Sequence, residues 1–435
     1  MLLVYSLTFR MYLRQTPTTA YVMGLSLETT PGFSTAKQRV SEQIHRSNND
    51  DQKNFDVIVI GIGSMGSSTC YYLAEQGVKV LGLEQFDIPN ELSSHVGQSR
   101  IIRKAYFEHP AYVPLLEKAY QNWKHLEEIT GTQVYFKTGL LYSAKSEHLL
   151  MKGVHASASQ YNIKLDTLSA KDMKAKYPQI NVPDDNEKLI EPESGFLTPE
   201  RAILLYTDQA LQRGAVIKTK TKVLQWNKTS ESIEVTTSVG KYFAKKLIIT
   251  AGPWTGKMIE DLSSSLTVTR QMIAWVIPQN DSLFELGRLP CWMIVDDAKP
   301  GIFYGFPILP VGKFDGPTGF KLAHHYQGSI SDPNTINRIP TADDEANLVD
   351  TLKKFFPNGY KATHVLKTCM YTNTPDEHFI LDFLPNYDKD VIVAAGFSGH
   401  GFKFASVVGE IMSGLAIKGS SPSPIGFLNA TRLKK

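Results

Sequence analysis

The chain has 435 residues, 46 of them basic and 43 acidic, for a formal charge of +3, so it presents no broad positive field for nucleic acid and is long enough for two sizeable domains. With 42% hydrophobic and 20% charged residues it is not a chain disordered throughout, and no apolar run approaches the roughly 20 residues that cross a bilayer. Cys70, Cys291 and Cys369 lie far apart, form no metal-ligand spacing and are odd in number, which argues for a reducing, cytoplasmic setting with no metal site and no disulfide framework.

Residues 1–54 stand apart. Residues 1–27 contain Arg10 and Arg14 and no acid, whereas residues 41–54 are rich in Asn, Asp and Gln. Three readings stay open: a targeting segment, a disordered tail, or an extension from an upstream start, the last two favoured because the apolar run 2–9 is short for a secretory core.

Residues 55–84 read as strand, glycine turn, helix, strand and acidic tip. The β-branched run 55–60 suits a buried parallel strand, and Gly61, Gly63 and Gly66 follow at the dinucleotide spacing. Gly61 serves the tight turn, Gly63 the approach of a pyrophosphate, and Gly66 the packing of a helix that begins near Ser64 and Met65 and ends at Gly77. A second strand, 78–83, ends in Glu84, placed to accept hydrogen bonds from an adenosine ribose. The fingerprint alone leaves NAD and FAD equally open.

Beyond a polar loop, Arg100 and Arg103 stand three apart, on one side of a presumed helical turn, as either an anion clamp or two solvated cations. Pro110 opens an amphipathic helix closed near Gly131. Helices are expected near 146–160 and 170–176, a further helix from Thr198 and Pro199 to Leu211, and strands at 215–223 and 232–237. The run 246–251 is a buried strand leading into Gly252, Pro253 and Trp254, the return of the chain to its first sheet. Aromatic and proline punctuation between 266 and 366 marks a mixed sheet of a different domain.

Towards the end, Cys369 and Tyr371 precede a strand at 391–395. Gly396, Gly399 and Gly401 then lead with Lys403 into a helix, a loop that lets backbone lie against a flat ligand while the helix terminus adds positive potential. His95, His378 and His400 read as hydrogen-bonded structural residues rather than proton shuttles, and Cys70 as a small buried apolar residue.

With these segments in order, FDVIVIGIGSMG, GQSRIIRKAY, KLIITAGPW, CMYTNTPDEHFILD and GFSGHGFKFASVVGE, the chain from about 55 to 427 resembles the monomeric sarcosine oxidase family of flavoproteins, which also holds N-methyltryptophan and pipecolate oxidases. The resemblance implies an α/β protein in which an FAD-binding Rossmann-like domain (55–137, 195–265 and 372–430) interleaves with an α+β substrate domain on a mixed sheet (138–194 and 266–371). It implies a monomer that oxidises a secondary amino acid, with oxygen as acceptor and neither nucleic acid nor membrane as partner. Sarcosine is the leading substrate, with N-methyl-L-tryptophan and L-pipecolate as alternatives.

Carried over residue by residue, Cys369 corresponds to the cysteine that attaches FAD covalently, Arg103 and Lys403 to the pair that holds the substrate carboxylate, Tyr371 to a tyrosine beside the substrate, and Arg100 to a basic residue close to the flavin. Cofactor contacts are expected from Gly61, Gly63, Ser64, Met65, Gly66, Glu84, Arg100, Val223, Gly252, Trp254, Cys369, Gly399, His400, Gly401 and Lys403. Two departures stand out. Val96 occupies the place of a second histidine, and no lysine falls between Arg270 and Ala298, where the family's flavin-facing lysine is sought. An amine dehydrogenase with a non-oxygen acceptor, a nicotinamide-dependent dehydrogenase and a flavin-binding module without turnover remain the competing readings.

Overall fold

The computed structural model describes residues 31–433. The apolar run near the start becomes the strand Asn54–Ile60, pairing in parallel with Val80–Leu83 on one side and Gly240–Ile249 on the other. Its side chains alternate between two cores: Val57 and Val59 enter one, Ile58 and Ile60 the other. A strand buried on both faces needs this continuous apolar sequence.

Eight strands build this sheet, with Val216–Lys218 at one edge and Val223–Lys228 at the other. Gly240–Ile249 forks. Its first half pairs antiparallel with Ile233–Thr237 and its last residues pair in parallel with Val391–Ala395. The single strand expected at 215–223 is therefore two, at opposite edges. Lys220, with φ of 52°, turns the chain between them.

Helix Ser64–Glu75 lies on this sheet against Ala405–Lys418, where a Cβ on Gly409 would fall 2.4 Å from Ser68 Oγ. Helix Pro199–Gln212 flanks it, and Val113–Thr130 ends at Gly131 in the left-handed region.

A second sheet of nine strands carries Leu140–Ala144, Glu187–Glu191 and the strands between Thr267 and Asn373. Trp292, Phe303 and Phe320 fill its core, while Trp275 packs in a separate cluster with Val96, Ile273 and Cys369. The long antiparallel pair Thr267–Ile277 and Ala362–Asn373 sets Gln271 opposite Cys369 and Thr269 opposite Tyr371.

Two expectations are corrected here. Residues 31–48, assigned to a disordered or targeting extension, form the helix Pro31–Asn48, with Ala36 and Val40 in the nucleotide-side core. Residues 1–30 lie outside the described residues. Arg100 and Arg103 do not share a helical turn, because Arg100–Ile102 is a strand paired with Gly195–Leu197 and Arg103 follows its end.

Candidate active site

A cavity of about 460 Å³ runs from the glycine fingerprint to Arg103, His325, Tyr371 and Lys403. Its first end is made mainly of backbone. Gly61 turns with φ of 89°, and a Cβ on Gly66 would stand 1.9 Å from Gly61 O, which fixes glycine at the helix–strand contact. Gly63 differs: a Cβ there would meet only His95 Nδ1, at 3.7 Å, so its side is open to the cavity. The helix begins on Gly63 with no side-chain cap, leaving its first N–H groups facing any phosphate laid there.

Glu84 closes this end, buried at 5% exposure, accepting from Ile62 N and Phe86 N at 2.9 Å each. Burial raises its carboxyl above the usual range, against those N–H groups. Each oxygen keeps capacity for a hydroxyl donor. Ser64, Met65, Val223, Gly252 and Trp254 line the same wall. Further along, His95 Nε2 and Thr372 Oγ1 are buried with no hydrogen-bond partner among the described residues, although both residues border the cavity. An uncapped helix, an open glycine, a carboxylate at the strand tip and two unpartnered polar atoms fit a long dinucleotide cofactor.

The other end is made of charged side chains brought from distant segments. Arg103 is 2% exposed and grips both oxygens of Glu108 at 2.7 Å, with its guanidinium 4.4 Å from the Tyr106 ring centre. Burial works against its charge, but Glu108, Tyr142 and Tyr106 together hold Arg103 above the ordinary arginine value. Burial likewise opposes ionisation of Glu108, and Arg103, His400 and Lys403 together bring it down to about 2. Lys403 donates to His400 O at 2.7 Å, and burial, then Arg103, lowers its ammonium to about 7.

The histidines here are neutral. Burial lowers His400 to about 3 and His325 to about 4. His400 Nε2 lies 3.0 Å from Glu377 O, which can only accept, so Nε2 carries the proton and Nδ1 accepts from Tyr106 Oη. His325 Nδ1 lies 3.3 Å from Tyr371 Oη, whose ionisation burial pushes well above the ordinary tyrosine value.

Gly399 and Gly401 border the cavity as expected, yet their lack of side chain is spent on aromatic neighbours. A Cβ on Gly399 would strike the Tyr371 ring at 2.3 Å, and one on Gly401 would strike Phe397 at 2.5 Å. Gly396, Ser398 and Gly399 all have positive φ, and a 3₁₀ turn, Phe402–Phe404, precedes the α-helix.

Arg100 borders the cavity and donates to the carbonyls of Ser94, Val96 and Ser99. Cys369 lies behind it, 3% exposed, with Sγ 3.9 Å from Arg100 Nη2; its neighbours Met370 and Tyr371 form the wall instead. Cys369 and Tyr371, two apart on one strand, point to the same side of the sheet.

No lysine stands between 270 and 298, but a buried one stands further along. Lys321, on strand Phe320–His325, is 2% exposed and donates to the carbonyls of Gly97 and Ser99 and to Ser99 Oγ. Burial, then Arg100, pushes its ammonium well below the usual lysine range. A lysine between Phe320 and Leu322 in an apolar strand carried a signal, since lysine is rarely buried without purpose. Glu108 and His325 also escaped the sequence reading.

The two sheets, the nucleotide cradle and the buried cations at its far end define a class: a protein that holds a dinucleotide cofactor against a second, charged site. The comparisons make this specific. The FAD dependent oxidoreductase family matches residues 56–415, and the chain belongs to that family. Monomeric sarcosine oxidase of Bacillus sp. (strain NS-129) is 37% identical, the match covering 88% of this chain and 98% of the relative. Peroxisomal sarcosine oxidase of Homo sapiens is 35% identical over 84% of this chain and 92% of its own. N-methyl-L-tryptophan oxidase of Yersinia pestis (strain Pestoides F) is 31% identical, covering 88% and 100%. Among solved structures, NikD, an unusual amino acid oxidase essential for nikkomycin biosynthesis, superposes with a TM-score of 0.77 at 22% identity, covering 87% of this chain and 98% of its own, a likeness of fold. Among the described residues no helix is long and apolar enough to cross a membrane.

Proposed function

We propose that this protein oxidises the secondary amine of an N-methyl amino acid, sarcosine first, with FAD attached through Cys369 and oxygen as acceptor. The observation that carries the reading is the balance of charge at the far end of the cavity. Arg103 and protonated Lys403 face one carboxylate, Glu108, so a single positive charge remains for a substrate carboxylate. The guanidinium fork and the ammonium then fix the substrate's orientation.

Bound FAD supplies the two-electron acceptor, held by the fingerprint helix, Glu84, Val223, Gly252, Trp254, Arg100 and the loop of Gly399, His400 and Gly401. Around the amine, His325 and Tyr371 stay neutral, so nothing there competes with Arg103 and Lys403 for the carboxylate. Tyr371 Oη and the free nitrogen of His325 offer hydrogen bonds to an uncharged amine, the form from which the adjacent C–H is lost. Lys321, held beside the arginine loop, is the basic residue we assign to oxygen reactivity. For sarcosine the balance is sarcosine, oxygen and water giving glycine, formaldehyde and hydrogen peroxide. The relatives named monomeric support a monomer.

The test is an anaerobic screen. Sarcosine, N-methyl-L-tryptophan and L-pipecolate are added in turn while the flavin band near ~450 nm is followed, and air and a peroxide assay come afterwards. Bleaching by at least one, followed by peroxide, is expected; a yellow protein that none bleaches would overturn the reading. Separately, acid-precipitated protein should keep its flavin and Cys369→Ser should release it.

A further inference from the structure

The helix Pro31–Asn48 precedes the stretch 56–415 that the family match covers, yet it is built into the nucleotide side of the molecule. Ala36 and Val40 are 1% and 2% exposed, and Arg39 forms a two-pronged ion pair with Asp208, whose side chain is 1% exposed. At its other end the segment meets Lys218, a lysine 2% exposed. The Lys218 ammonium donates to the carbonyls of Ser47, Asn48 and Asp50, and Asn48 Oδ1 accepts from Thr219 N at 3.1 Å. An ammonium at a helix C-terminus, meeting carbonyls with no partner inside the helix, is a favoured arrangement.

Lys218 is one step from the cofactor end. It terminates the edge strand Val216–Lys218, and its carbonyl accepts from Glu84 N at 2.9 Å, while Glu84 O accepts from Thr221 N at 2.8 Å. Thr221, Lys222 and Val223 then form part of the cavity wall. From helix 31–48 to Glu84 the contacts are continuous and buried.

We propose that Lys218 is a positioning residue for FAD, and that the N-terminal helix acts through it as a brace on the adenosine end of the cavity. The proposal rests on the reading of Glu84 and its wall as the FAD cradle. Without the helix, Lys218 loses the carbonyls of Ser47 and Asn48 in a buried place, and the edge strand that backs Glu84 loses most of its anchor. The cations at the far end of the cavity are untouched by this segment, so FAD retention and substrate affinity respond differently.

The experiment uses the full-length holoprotein with Cys369→Ser, so that FAD can leave, and reads FAD release after dilution by flavin fluorescence. Lys218→Met is expected to speed release about tenfold and Arg39→Ala about threefold, with KM for the best substrate at saturating FAD changed less than about twofold. A chain lacking residues 1–49 should release FAD at least as fast as Lys218→Met. Release within about twofold of the parent in both Lys218→Met and Arg39→Ala overturns the brace, as does a KM that rises in step with release, which marks general loosening. A parent that holds no FAD overturns the cradle reading and the brace with it, an outcome distinct from a parent that holds FAD and variants that hold it equally well.

Discussion

The two ends of the cavity are built by opposite means. At the nucleotide end, recognition comes from backbone: a turn at Gly61, an open approach at Gly63, uncapped helical N–H groups, and one carboxylate at the tip of the next strand. All of it lies within thirty residues of sequence. At the reactive end, recognition comes from polar and charged side chains that meet from three places, charged Arg103 and Glu108 after one short strand, neutral His325 from the second sheet, and Lys403 before the last helix. Backbone sites tolerate little change of shape, whereas charge sites tolerate little change of partner.

That contrast is tested hardest at Arg103. Arg103→Ala removes half of the cation pair and strands a buried Glu108, so kcat/KM on a carboxylate substrate should fall by about 10³-fold, within the range seen when a buried charge partner is truncated. Arg103→Ala with Glu108→Ala should regain thermal stability without regaining kcat/KM; recovery of both would show that Arg103 serves folding alone. Next, the glycines of the fingerprint should separate shape from ligand. Gly66→Ala places a Cβ 1.9 Å from Gly61 O, backbone that cannot yield, and should cost about 3 kcal/mol in denaturant unfolding. In the Cys369→Ser background, Gly63→Ala should melt within about 2 °C of its parent while weakening FAD binding about tenfold, because its Cβ meets ligand space and not protein. Lys321→Met, behind the arginine loop, should slow reoxidation by oxygen about 10²-fold and leave anaerobic reduction by substrate within about threefold. Equal loss in both half-reactions would remove Lys321 from oxygen chemistry.

The same contrast explains what could be read in advance. The fingerprint was legible because its strand, turn and helix are consecutive, so the spacing of Gly61, Gly63 and Gly66 already encodes the geometry. Arg100 and Arg103 were misassigned to a helical turn because spacing of three is ambiguous, and the strand exists only through pairing with Gly195–Leu197, nearly a hundred residues away. Lys321 escaped because the strand register that sets Ile273 opposite Ala323, and so brings residue 321 to the arginine loop, is not a local property. Helix Pro31–Asn48 did carry a faint signal in Phe33, Ala36, Val40 and Ile44, which follow helical spacing. Four apolar residues among polar ones could not announce that the surface they dock on was there. Resemblance named Arg103 and Lys403, which the structure brings to the same end of the cavity, but not Glu108, whose partnership with Arg103 appears only when the chain turns back on itself.

The smallest effect expected is also the most diagnostic of the reactive end, because binding and stability should move in opposite directions with pH. Lys403 sits near 7, lowered by burial and then by Arg103, against an ordinary lysine value of 10.5. A carboxylate ligand without an amine, such as propionate, should therefore bind best below pH 7 and weaken about tenfold by pH 8.5 as the ammonium is lost. The folded chain, free of ligand, behaves in the reverse sense. Its Lys403 holds a proton less tightly than the unfolded chain does, so the penalty for burying that charge is full below about 7 and fades as pH rises towards 10.5, and stability from this group grows over the same window. Lys403→Met should abolish both slopes, giving weak propionate binding that is flat from pH 6 to 8.5 and a smaller pH dependence of unfolding by difference from the parent. Retention of the binding slope in Lys403→Met would assign the titration to another group, and the charge balance argued for the substrate carboxylate would fall with it.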